Sequence, residues 1–375
     1  MAVGLRALAE HFADLEDPRR ELHQLHPLLD LIALTICAVI AGADSWAAVE
    51  RFGQAKQAWL KTFLRLPHGI PSHDTIGRVF ALLQPAAFQA CFRTWMAETC
   101  AALGVTQVAI DGKVMHGSGT AGRSCLHVVS AFASDLGLTL GQQVVADKSN
   151  EITAIPALLR VLDLTGAVVS IDAMGCQTAI AQAIRDREAD YLLAVKENQP
   201  TLFDAIARCV VRGLPTGFAD RPCDRAQTSE RAHGREEVRT CYVFPAAAVL
   251  TDADRWPDVA SVVVVLGQRT RAGVVTQQPR YYVSSKQASA AWFLQAVRRH
   301  WEIENGLHWV LDVCFADDAS RVREGHGPTN FALLRRLALG ILKQGGGKGS
   351  LQGQRQTAGW NHEFLESTLR HFLRI

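Results

Sequence analysis

No Cys-x-x-Cys pair occurs in this chain, although it holds nine cysteines. None of them stands near a histidine at zinc-ligand spacing, and an odd, scattered set argues for reduced thiols, not a disulfide framework. Long apolar runs are also missing. The best, Leu31–Ala43, follows Asp30 and falls well short of the roughly 20 residues that span a bilayer; it reads as a buried helix. No signal peptide is visible, so the expected location is cytoplasmic, without membrane contact. A global basic field is lacking too, since the formal charge is only +2. Finally, no Gly-x-Gly-x-x-Gly follows the first strand-like run, which argues against a doubly wound dinucleotide fold.

What is present is enough apolar material for a large core. With 48% hydrophobic and 20% charged residues over 375 positions, the chain suits one large domain or two to three ordinary ones. Charge is uneven along it: residues 335–375 carry seven Lys/Arg against two Asp/Glu, a basic end able to track phosphates.

Residues 1–103 read as helical, with apolar helices over Leu28–Ala41 and Trp46–Leu64. Ser72 is a suitable N-cap for a third helix, Asp74–Leu83. Helix, Gly/Pro turn and short helix is compatible with helix-turn-helix DNA binding, which makes Thr75 and Arg78 the outward candidates; an ordinary three-helix corner fits equally. From residue 104 the pattern becomes α/β. Strands are expected at Val105–Asp111, Leu126–Ala133, Gln142–Val145, Val168–Asp172 and Tyr191–Val195. A Gly-rich turn, Gly112–Gly122, should follow the first, and helices Glu151–Leu162 and Thr178–Arg187 should flank the fourth. Three antiparallel strands and then helix-strand-helix-strand is the order of an RNase H-like mixed sheet. Core segments 104–200 and 288–343 are interrupted by a β-rich insertion over 201–287, with strands near Arg239–Phe244, Val259–Thr270 and Val274–Ser284. One long helix, Ser289–Asp312, and another, Phe331–Leu342, complete the core. Within the last region, 344–375, Gly345–Gly359 reads as a mobile linker.

Three carboxylates sit where charge is expensive to bury. Asp111 and Asp172 each end an apolar strand, and in the expected order those strands are neighbours. On the long helix Leu294, Val297, Trp301, Glu304, His308 and Leu311 form one stripe, which places Glu304 toward the sheet and Glu302 in solvent. Trp301 reads as core. Two like charges side by side repel unless a cation lies between them. Hard oxygen donors without thiolates or paired histidines select Mg²⁺ or Mn²⁺, and two ions would serve phosphodiester chemistry. Asp312, Asp317 and Asp318 are fallback third ligands.

The motifs Pro-Ser-His-Asp-Thr (71–75), Ile-Asp-Gly-Lys (110–113), Ser-Asn-Glu-Ile-Thr-Ala-Ile-Pro (149–156) and Ile-Asp-Ala-Met-Gly-Cys-Gln (171–177) occur in this order. They are followed by Val-Lys-Glu-Asn-Gln (195–199), His-Gly-Arg (233–235), His-Trp-Glu-Ile-Glu-Asn (300–305) and His-Trp-Val-Leu-Asp-Val (308–313). Together they make the chain resemble bacterial insertion-sequence transposases of the DDE type, in the branch that includes the H-repeat-associated proteins. The resemblance implies that Asp111, Asp172 and Glu304 are the catalytic, metal-binding triad. It also implies an RNase H-like core with a β-rich insertion before the glutamate, DNA partners (element inverted repeats and target) and a homodimer in the active complex. The wider superfamily usually places a tyrosine and an arginine before the glutamate and a lysine after it. Here Val297, His300 and Leu311 occupy those places, leaving Arg299, His300 or His308 for strand contacts. His116 stands where relatives tend to carry a basic residue. Lys113, Lys196 and Asn198 are further candidates near the cleft, and Arg235 and Arg239 on one strand face are candidates for holding DNA.

The activity expected is metal-dependent nicking of element ends followed by strand transfer of the 3′-hydroxyl. The rivals are a non-mobile, catalytically silent relative that only binds DNA and an RNase H-like endonuclease that cuts without joining.

Overall fold

Serine caps start several of the helices. Ser45, Ser72, Ser289 and Ser350 accept from the backbone N–H of Ala48, Thr75, Trp292 and Gly353, each satisfying one of the donors left open in a first turn. The computed structural model describes residues 11–372 except 22–23, 121, 123, 147–148, 220, 233–234 and 272–273. The chain divides into two compact units: Met1–Val105, Gly112–Lys148 and Glu304–Ile375 form one, and Thr106–Asp111 with Ser149–Ile303 form the other. His233 and Gly234 of the His-Gly-Arg motif lie outside the described residues.

In the first unit the helix Gly327–Gln344 packs against the helices Leu28–Ile40 and His73–Leu82. It buries Arg335 and Arg336. Arg335 reaches Asp317 at 3.0 Å and lies over the Phe331 ring, while Arg336 donates to Ser130 Oγ at 3.1 Å. Such partners are what make interior guanidinium groups tolerable. Two sequence expectations fail in this unit. Trp46–Leu64 is not one helix but Trp46–Ala55 and Gln57–Leu60, broken at Lys56. Gly345–Gly359 is not a linker: Leu351–Trp360 is a helix, because Ser350 caps it and Arg355 is buried over the Phe315 ring with an N–H donated to the Val39 carbonyl at 2.9 Å.

The strands are β1 (Gln107–Met115), β2 (Leu126–Ala133), β3 (Leu138–Val144), β4 (Val168–Ile171), β5 (Asp190–Val195), β6 (Asp224–Ala232), β7 (Arg235–Pro245), β8 (Ser261–Arg271) and β9 (Val274–Ser284). They lie in the order β3-β2-β1-β4-β5-β9-β8-β7-β6. β1 belongs to both units, its residues through Asp111 to one and the rest to the other. β1, β4 and β5 are parallel, and the other described pairings are antiparallel. Thus the mixed α/β sheet and the β1–β4 adjacency expected from element order are present. β3 begins earlier than expected because Gly137, at φ +69°, turns the chain directly into Leu138. β6 and the helix Pro200–Gly213 had no counterpart among the expectations. β6 to β9 continue the same sheet beyond β5. Alternation along them puts Cys241, Val243, Val263, Val265 and Tyr282 on one face, packed on Phe293, Leu294 and Val297 of the helix Ala290–His300.

Candidate metal centre

The register of β1 and β4 pairs Ile110 with Ile171, so the next residues, Asp111 and Asp172, leave the ends of this parallel pairing side by side. Neighbouring strands are about 4.8 Å apart. Both aspartates are half-buried. Asp111 does not end its strand, as the sequence suggested. β1 runs on to Met115, whose side chain is buried with Val128 and Ala332, and the expected Gly112–Gly122 turn is shorter for that reason.

Asp172 caps the short turn Ala173–Gly175, one oxygen accepting from Met174 N at 3.1 Å and Gly175 N at 3.4 Å. The turn demands glycine at 175: an added Cβ would sit 2.3 Å from the Ile171 side chain. Asn198, just beyond β5, donates to the Ala173 carbonyl at 2.7 Å, and Gln199 to the Cys176 carbonyl at 2.8 Å. The loop after β5 therefore clasps the loop after β4, at the carboxyl ends where open α/β sheets bind ligands. Lys196 is exposed on the same loop. Cys176 is no nucleophile here, since burial, together with the Asp172 charge, pushes its thiol up to about 12.

Glu304 lies in the first unit. The single helix expected over Ser289–Asp312 is in fact three pieces: Ala290–His300, a π-helical turn Ile303–His308, and Trp309–Phe315. The wider turn rotates the faces. Ile303, Leu307 and Leu311 are buried, while Trp301 and Glu304 are exposed. Two readings of the sequence are corrected by this: the continuous 294–311 stripe does not exist, and Trp301 is not core but carries Arg280 over its ring at 4.9 Å. A regular 3.6-residue period cannot reveal a π-turn, which is why the stripe misled. π-turns are frequent at functional sites. Among the described residues, no group of three or more His, Cys, Asp or Glu is gathered closely enough to hold a metal ion. The structure brings together Asp111 and Asp172; their half-buried oxygens suit a hard divalent cation.

The fallback acids are engaged elsewhere. Asp312 pairs with Lys113 at 2.6 Å, Asp317 is buried on Arg335, and Asp318 accepts from the His116 backbone N–H at 2.7 Å. Lys113 is accordingly held, not free. Burial beside Arg336 and Lys113 drives His308 down to about 3, so its ring is neutral at physiological pH. Arg239 is neutralised by Glu237 at 2.9 Å and Glu230 at 3.5 Å; Arg235 opens β7 opposite Arg271. Arg78 is exposed and Thr75 half-buried in the first turn that Ser72 caps, and Arg299 is half-buried in the last turn of its helix. The Ser170–His300 contact, 3.1 Å long, was not visible in the sequence.

Comparison with known proteins is consistent along the chain. A family model described as DDE_Tnp_1-associated matches residues 9–96, and one described as the transposase DDE domain matches residues 104–341. The Escherichia coli O157:H7 protein named "Putative transposase YncI" is 38% identical, covering 98% of this chain and 95% of its own length. The Escherichia coli K12 protein named "H repeat-associated putative transposase YhhI" is 37% identical, covering 98% of both. A solved structure of the piggyBac transposase synaptic complex with hairpin DNA aligns over 100% of this chain and 78% of its own, with a TM-score of 0.39 and 10% identity. The match of the DDE model over most of the sequence, with relatives alike from end to end, places this chain in the DDE transposase family.

Proposed function

We propose that the protein is a metal-dependent transposase that nicks the ends of its element and joins the exposed 3′-hydroxyl to target DNA. The observation that carries this is the parallel β1–β4 register, which sets Asp111 beside Asp172. Glu304, on its exposed π-turn, is the proposed third ligand. Bound by these carboxylates, two Mg²⁺ or Mn²⁺ ions would supply Lewis-acid stabilisation to the attacking and leaving oxygens. In the first step water forms a bond to phosphorus and the P–O3′ bond breaks, leaving a 3′-hydroxyl and a 5′-phosphate. In the second, that hydroxyl attacks a target phosphodiester and displaces another 3′-oxygen, so one phosphodiester replaces another without an external energy source. Asn198 holds the Asp172 turn, and Lys196 faces solvent at the same strand ends.

In this reading residues 104–200 and 288–343 form an RNase H-like core, 201–287 its β-rich insertion, and 1–103 the helical region that binds element ends. Two ends must be held together for joining, which calls for a homodimer on DNA in the cytoplasm. The deciding experiment incubates wild type and Asp111→Asn with labelled end DNA, a target plasmid and Mg²⁺. Metal-dependent nicks and joined products from wild type alone are expected. Nicks without joining favour an endonuclease, and DNA binding without nicks favours a silent relative.

A further inference from the structure

The carboxyl end of the helix Ala290–His300 is fastened to two strands by a short chain of side chains. Gln107, on β1, is 1% exposed. Its Nε2 donates to Ser170 Oγ at 3.1 Å and to the Ala296 carbonyl at 2.8 Å. Ser170, on β4, in turn stands 3.1 Å from His300 Nδ1. Ser170 precedes Asp172 by one alternation of the strand, so both project to one side. Burial pushes the pKa of His300 down in spite of the nearby Asp172 charge, which keeps the ring a neutral hydrogen-bonding group. His300 is also the last residue of its helix, and the backbone passes from it into the π-turn that carries Glu304.

We propose that His300 is a positioning residue: through Nδ1 it locks the end of its helix to Ser170, braced by Gln107, and so fixes Trp301–Ile303, the residues that lead into the Glu304 turn. This rests on the reading of Asp172 and Glu304 as metal ligands, and it assigns His300 a role other than DNA contact. The ring nitrogen that matters is Nδ1, and that makes the assignment separable from its rival. His300→Asn places an amide near the position of Nδ1, whereas His300→Gln places one near Nε2.

The first readout is hydrogen exchange of the amides of residues 301–303 in metal-free protein. Wild type and His300→Asn are expected to exchange alike, with His300→Gln, His300→Ala and Ser170→Ala at least tenfold faster, while β5 amides stay protected in all five. The second is the Mg²⁺ concentration for half-maximal nicking, expected to rise at least tenfold in the fast-exchanging variants and to be recovered largely by His300→Asn. If His300→Ala exchanges like wild type, the lock does not exist. If His300→Gln nicks like wild type while His300→Asn fails, the ring acts through Nε2 on DNA and the proposal is overturned. Absence of nicking by wild type would instead sink the transposase reading, and the exchange data would still decide the lock.

Discussion

Lys113 and Asp312 form an ion pair, Nζ to Oδ2, at 2.6 Å, with the lysine side chain only 11% exposed. A held ammonium so close to Asp111 in sequence serves the fold before it serves any ligand. Asp312→Asn leaves that charge uncompensated in a mostly buried place, and the cost expected is about 1–3 kcal/mol. Adding Lys113→Met to Asp312→Asn is expected to recover more than half of the loss. A urea double-mutant cycle measures the coupling. Additive effects would mean that the pair contributes nothing beyond its separate ends.

His308 makes stability depend on pH. Its folded pKa, about 3, lies below the unfolded value of 6.5. Between those values the unfolded chain binds a proton that the folded chain does not, so stability falls as pH drops through 6.5 and goes on falling toward 3. For this one group the slope is at most about 1.4 kcal/mol per pH unit. His308→Gln should flatten that part of the curve in denaturant titrations at pH 7, 6 and 5. An unchanged slope would show that other groups govern acid sensitivity.

Element order and alternation revealed the parts of the molecule governed by short-range rules. β2 and β9 fall on the spans expected for them, and β1 and β4 are neighbours as the order of elements requires. Hidden from the sequence were features that depend on contacts far along the chain. Nothing local to the Gly/Gln-rich 345–359 stretch indicates that Arg355 will find Phe315 and the Val39 carbonyl. Likewise, Arg335 and Arg336 look like part of a basic end able to reach phosphates, but Asp317 and Ser130 hold them in the interior. The candidate site divides in the same way. An aspartate closing an apolar run, as Asp111 and Asp172 each do, announces itself, whereas a π-turn at Glu304 breaks the period used to read the helix.

Asp172 has two separable jobs, capping the Ala173–Gly175 turn and lending a carboxylate to the proposed metal centre. Asparagine is as good a cap as aspartate, and alanine is not. Asp172→Asn is therefore expected to keep wild-type stability and lose Mg²⁺-dependent nicking by at least a hundredfold. Asp172→Ala should lose both, with a stability cost of about 1 kcal/mol. Thermal melting beside a nicking assay separates the two roles. Nicking by Asp172→Asn at the wild-type rate would remove this residue from the ligand set.

The distal half of β7–β9 supplies the test of DNA contact away from the acids. Arg239, Arg269 and Arg271 share one face, the continuation of the side on which Val263 and Val265 pack. They are not equivalent. Arg239 is spent on Glu230 and Glu237, while Arg269 and Arg271 are exposed and form no ion pair with a described residue. A guanidinium already neutralised gains little from a phosphate, whereas a solvated one releases a counterion from DNA when it binds. Substituting Arg269 or Arg271 by alanine should lower the slope of log affinity against log salt by about one each, and do so on any sequence. Arg239→Ala should leave the slope as it is and loosen the β6–β7 pairing instead, detectable as faster amide exchange there. A slope that drops for Arg239→Ala but not for the other two would place the DNA on a different part of the sheet.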